Sequence, residues 1–183
     1  MRRNDTITKV KESKIIIRKQ LKTLNVASVV YETHHRACCG VDFKAENVLS
    51  EDDPSYWIGG EILGGIYWLG HFILDFGMEI QIDGVELRNI KASTDRHAKE
   101  IKVFLSDLRD GPWHEVMNEV LPDTRNDEEE LPILHFATYG FTRGKFLKCQ
   151  IQSHYGSHGG LDYFGIYSGE LLLLITNYCL DLF

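Results

Sequence analysis

The sequence predicts an all-β fold, an antiparallel jelly-roll sandwich of about eight strands. Three observations carry this reading. Short stretches of alternating or β-branched residues recur between residues 25 and 168, and Gly, Pro, Asp and Asn separate them. No repeated helical segment lies between the stretches, so βαβ units are not expected.

The elements follow in order. In residues 7–22, Ile7, Val10, Ile17 and Leu21 recur near helical spacing, but Lys14 interrupts the face and the helix is poorly supported. Residues 26–31 are β-branched and aromatic. In 71–76, Phe72, Leu74 and Phe76 share one face, and Asp75-Phe76-Gly77 reads as a strand end. Residues 80–90 place Ile82, Val85 and Leu87 around a kink at Asp83-Gly84. Ile101, Val103 and Leu105 alternate with Lys102, Phe104 and Ser106. Segments 113–120, 131–137, 146–153 and 163–167 complete eight candidate strands. Trp57 and Trp113 are assigned to the core, whereas Tyr67-Trp68 fits either a buried strand or an exposed loop. The expected organisation is a basic extension (1–24), one domain (25–168) and an apolar tail (169–183) that packs on the sandwich or on a second copy.

Charge is unevenly placed. Of 20 Lys and Arg, eight lie in residues 1–22 with only Asp5 and Glu12, so the remaining chain holds 12 against 25 acids, within a net −7. An acidic body disfavours nucleic acid as a partner, and the basic head reads best as a solvated extension. No apolar run approaches the ~18–20 residues that span a bilayer. No hydrophobic stretch follows Arg2-Arg3, so no secretory signal peptide is expected. That favours a cytoplasmic setting unless the true N-terminus lies elsewhere. Cys38, Cys39, Cys149 and Cys179 can pair in three ways, and none is spaced as a zinc knuckle.

No Gly-x-Ser-x-Gly, Walker, His-Glu-x-x-His or Gly-x-Gly-x-x-Gly motif is present, so no enzymatic activity is expected. A Cys–His nucleophile drawn from Cys38 or Cys39 with His34 or His35 lacks an oxyanion signature. The acidic run 123–130 reads as a solvated hairpin loop rather than a cation site. Histidines cluster at His34-His35, at His97 beside Arg96, and at His154 and His158 around Tyr155. Loops with such residues suit metal, sugar or peptide contacts, and equally suit plain surface loops.

Several segments together resemble the discoidin, or coagulation factor 5/8 type C, family of galactose-binding-like jelly rolls. Residues 45–57 read AENVLSEDDPSYW, similar to the family's A-x-N-x-L-D-G-D-x-x-T-x-W. FILDFG at 72–77, IDGVELRN at 82–89, KEIKVFLS at 99–106 with WHEV at 113–116, FLK at 146–148 and YFGIY at 163–167 follow in the family's order. The resemblance implies a non-catalytic module that recognises a carbohydrate, phospholipid headgroup or protein at a cell surface through loops at one end. The alternative is an intracellular protein-docking subunit using the same sandwich. By resemblance the loops are 31–43, 59–67, 91–98 and 153–160, and the implied ligand residues are His34, His35, Arg96, His97, His154 and Tyr155. Asn47 and Asp52 are expected to bond local backbone and hold the 45–57 loop. Many members hold a structural calcium. Here only Asp52 matches, with the last-strand position near Tyr163, so no cofactor is expected and calcium has one weak candidate ligand. The family's terminal disulfide has no cysteines at the matching ends.

Overall fold

A computed structural model describes residues 20–21, 27–33, 43–60, 62–63, 66–67, 70–125, 131–140 and 142–168. Two five-stranded antiparallel sheets face each other. One joins β1 (Gln20–Leu21), β12 (Gly159–Tyr167), β7 (Gly84–Asn89) and β10 (Leu134–Ala137) in that order, with β3 (Trp57–Gly59) also on β12. The other runs β2 (Ser28–Glu32), β6 (His71–Gln81), β11 (Arg143–His154), β8 (Ala98–Ser106) and β9 (His114–Val120). β4 (Ile62–Leu63) and β5 (Ile66–Tyr67) form a separate hairpin. Single 3₁₀ turns lie at Ala45–Val48 and Thr94–Arg96.

The alternation seen in the sequence sets the faces. Ile101, Val103 and Leu105 of β8 are fully buried, as are Phe72 and Leu74 of β6, while Lys102, Phe104 and His71 take the outer face. Trp57 is completely buried and meets Phe72 edge-on at 5.0 Å, and Phe72 meets Phe164 edge-on at 5.3 Å. This is the arrangement that the aromatic quadrupole favours. Trp57 Nε1 donates to Thr33 O at 3.1 Å, which satisfies its buried polar atom.

The eight expected strands correspond to the eight of four or more residues, and four shorter ones join them among the described residues. Other expectations change. Gln20–Leu21 pairs with Tyr167 and Ile166, so the sheet includes residues assigned to the 1–24 extension. Gly77 does not end a strand. It adopts φ +71°, its N–H donates to Asp75 Oδ1 at 2.7 Å, and β6 continues to Gln81 past a register shift in β11. The break falls at Ile82-Asp83, where the chain crosses to the other sheet. Trp113 is only partly buried, on the outer face of the second sheet. Residues 1–19, the 169–183 tail with Cys179, Cys38, Cys39 and Trp68 lie outside the described residues.

Cys149 is a buried free thiol on the inner face of β11, and burial raises its pKa. Thiolate is the reactive form. Iodoacetamide followed by peptide mapping is therefore expected to leave Cys149 unmodified in the folded protein and to label it after urea unfolding. Equal labelling in both states would contradict this burial.

Candidate functional site

The connections β7–β8 and β11–β12 both pass between the sheets, and they meet at one end. Asn89 anchors the first, donating to Ala98 O at 3.2 Å and accepting from Ala98 N at 2.9 Å. His97 is completely buried, with Nε2 3.0 Å from Ile90 O and Nδ1 3.4 Å from Thr124 Oγ1. It holds the loop from within and presents nothing to a ligand. That corrects its assignment to the ligand face: both ring nitrogens are engaged where solvent does not reach.

The second connection is fastened to the first. Tyr155 N donates to His97 O at 3.0 Å and Ser157 N to Asp95 O at 2.8 Å, and Ser157 Oγ donates to Asp95 Oδ2 at 2.5 Å. That hydroxyl bond is the leading cause holding the Asp95 carboxyl below its usual range. A Cβ on Gly156 would lie 2.1 Å from Asp95 O, so only glycine permits this approach. His154 Nδ1 lies 2.6 Å from Gly156 O inside the same turn.

The loops meet, but the side chains divide into two groups. Arg96 stands over the Phe43 ring at 5.6 Å, and its Nη1 donates to Tyr56 Oη at 3.2 Å. Phe43 and Tyr56 are themselves stacked at 4.9 Å and 24°. Tyr155 instead donates to Leu121 O at 2.7 Å, with Lys99 and Arg125 over its ring at 5.5 and 5.4 Å. Arg125 in turn is paired with Asp123, whose carboxyl its hydrogen bonds hold at about 2. Thus Arg96 and Tyr155 share one end but not one set of contacts. His34 and His35 lie outside the described residues, in the segment between Thr33 and Phe43.

Neither Phe43 nor Tyr56 stands out in the sequence as a site residue. Tyr56 sits inside the recognised 45–57 segment, but nothing in spacing pairs it with a phenylalanine 13 positions away. Tyr56 also lines a cavity of about 410 Å³ bounded by Asp52, Lys91, Arg88 and Asp162. Asp162 is buried: Oδ1 accepts from Arg88 Nε at 2.7 Å and Oδ2 from Lys91 N at 3.2 Å. Among the described residues no three His, Cys, Asp or Glu converge to hold a metal. Asp52 is exposed, and Asp162, a last-strand carboxylate on this cavity, already faces a guanidinium. Asn47 does bond local backbone, donating to Tyr56 O at 3.1 Å, but Asp53 rather than Asp52 accepts from Ser55 N, at 2.8 Å.

The fold of the chain is similar to that of CpGH89CBM32-5 from Clostridium perfringens, solved in complex with GalNAc-β-1,3-galactose. The TM-score is 0.63 at 12% identity, over 82% of this chain and 100% of that one. The fold is that of the family 32 carbohydrate-binding modules. The family 32 module of C. perfringens NanJ, in complex with galactose, shares the fold at TM-score 0.60 and 10% identity, over 83% of this chain and 100% of that one. So does the C-terminal domain of a chitobiase from Bacteroides fragilis, at 0.62 and 12%, over 82% and 100%. Family 32 modules are galactose-binding-like, discoidin-type domains, the architecture that the sequence motifs resemble. No protein-family model and no curated protein sequence matches the chain. Among the described residues no helix is long and apolar enough to cross a membrane.

Proposed function

We propose that this chain is a non-catalytic carbohydrate-binding module that takes a terminal sugar at the loop end, centred on Arg96. The observation that carries the reading is the Arg96 guanidinium, held on the stacked Phe43–Tyr56 pair, whose tyrosine lines a polar cavity. An arginine offers five N–H donors in a planar fork, and Tyr56 engages one nitrogen only. The remaining donors suit sugar hydroxyls, while the aromatic pair supplies an apolar surface for a ring's C–H face. Lys91 and Asp53, which border the cavity, add a donor and an acceptor. Solved neighbours of the same fold are in complex with galactose or with GalNAc-β-1,3-galactose, which makes those sugars the first to try.

Titration calorimetry with galactose, GalNAc and glucose tests the proposal. Binding of a galactose-configured sugar is expected, with Arg96→Ala weakening it about tenfold or more through loss of charge-assisted bonds. The melting temperature of that variant is expected to stay close to wild type, since Arg96 is only partly buried. Unchanged affinity in Arg96→Ala would remove Arg96 from the site. Absence of binding across a wide glycan array would remove the proposal.

A further inference from the structure

The outer face of the second sheet carries a groove that shares no lining residue with the cavity at the loop end. One transverse row crosses four strands in register: Tyr31 opposite Ile73, Ile73 opposite Lys148, and Lys148 opposite Phe104. Tyr31, 44% exposed, stacks on His71 at 5.0 Å and 25° and forms one side. Trp113, at the end of the β8–β9 turn, forms the other. Lys148 Nζ lies 4.7 Å from the Trp113 ring centroid and 4.6 Å from that of Phe104. Arg109 of the same turn donates to Val30 O at 2.9 Å, so the turn is tied to edge strand β2. The groove encloses about 270 Å³.

Its charge is opposite to that of the body. Lys148, Arg109 and His71 line it, with Asp110 as the acidic member, in a chain of net charge −7. Among the described residues no carboxylate lies within ion-pair distance of Lys148, although the ammonium is partly buried. Burial lowers the pKa of Lys148, and burial together with the Lys148 charge lowers that of His71. Both groups therefore sit where their charged forms cost free energy that an anion would return. The Trp113 and Tyr31 rings line the groove on either side. The volume is a little under the roughly 300 Å³ at which small-molecule pockets begin, which suits a single ring rather than a chain.

We infer that this groove is a second ligand site, for a sugar ring bearing a carboxylate, with the ring against Trp113 and Tyr31 and the carboxylate on Lys148. The site stands apart from the loop end and does not depend on the reading of Arg96. His71 is faced by Tyr31 from β2, by Lys148 from β11, and by Arg109 and Asp110 from the turn. A bound carboxylate favours its protonated form, and because burial and Lys148 hold the His71 pKa below the ordinary histidine value, affinity increases as pH falls below that value.

The test is an NMR titration of the full chain with D-glucuronate, with D-glucose and acetate as separate probes, following the Trp113 indole N–H identified through Trp113→Phe. Glucuronate is expected to shift that resonance saturably, and glucose and acetate to bind about tenfold more weakly or worse. Lys148→Met keeps the side-chain stem and is expected to weaken glucuronate at least about tenfold. If that variant fails to fold, the wild-type pH dependence carries the test: affinity that does not rise between about pH 6.5 and 4.5 overturns the assignment. Absence of saturable shifts overturns it as well. Acetate binding as well as glucuronate would refute ring recognition. Loss of glucuronate binding in Arg96→Ala with retention in Lys148→Met would move the ligand to the loop end and refute the second site.

Discussion

Asp162→Asn is expected to lower the stability of the sandwich by about 3–5 kcal/mol, because it leaves the Arg88 guanidinium buried without its counter-charge. The side chains of Arg88 and Asp162 are 8% and 9% exposed, and their contact is 2.7 Å. Glu51, the other carboxylate near Arg88, is 53% exposed and 4.0 Å away, too far and too wet to take over. In a domain of this size such a loss corresponds to a melting point lower by roughly 6–20 °C. The double variant Arg88→Met with Asp162→Leu removes both charges and is expected to recover most of the loss, since an apolar pair costs no desolvation. Denaturant unfolding of the two single variants and the double one makes the cycle. A double variant no more stable than Asp162→Asn would show that packing, rather than the stranded charge, sets the cost.

Trp57→Ala is expected to cost a similar or larger amount, about 3–5 kcal/mol for the cavity alone. The indole is fully buried against Phe72, and its N–H satisfies Thr33 O, so removal also strips a part-buried carbonyl of its donor. Trp57→Phe keeps most of the volume and is expected to fall between wild type and Trp57→Ala. A melt of Trp57→Ala within about 1 kcal/mol of wild type would mean that the core closes over the gap.

Most of the sandwich is legible in the sequence, because a strand with one buried face must alternate and turn residues must punctuate it. Periodicity shows which residues share a face but not whether that face ends up covered. Trp113 shares the pattern of a core residue yet lies on the outer sheet surface, beside Lys148. Gly77 reads as a stop because a local Asp–Gly bond looks the same at a strand end and in a bulge. Within the site, the positions of Arg96 and of the two loops follow from ordered motifs. Contacts between distant residues do not: His97 is buried by Thr124, 27 positions on, and Arg88 meets Asp162 across 74. The stack of Phe43 on Tyr56 is likewise a product of the tertiary fold.

The bonds from Tyr155 and Ser157 to His97 and Asp95 make two crossover loops into one body. Ordering a mobile loop on contact with a ligand consumes backbone entropy of about 1–2 kcal/mol per residue. Here that entropy is already spent during folding, since these loops are pinned to each other and to both sheets. A ligand touching them needs to offset little beyond its own lost translation and rotation. For the proposed sugar ligand, a shallow rim is then expected to suffice. Among sugars of similar size, selectivity is expected to show in how fast each one leaves rather than in how fast it arrives.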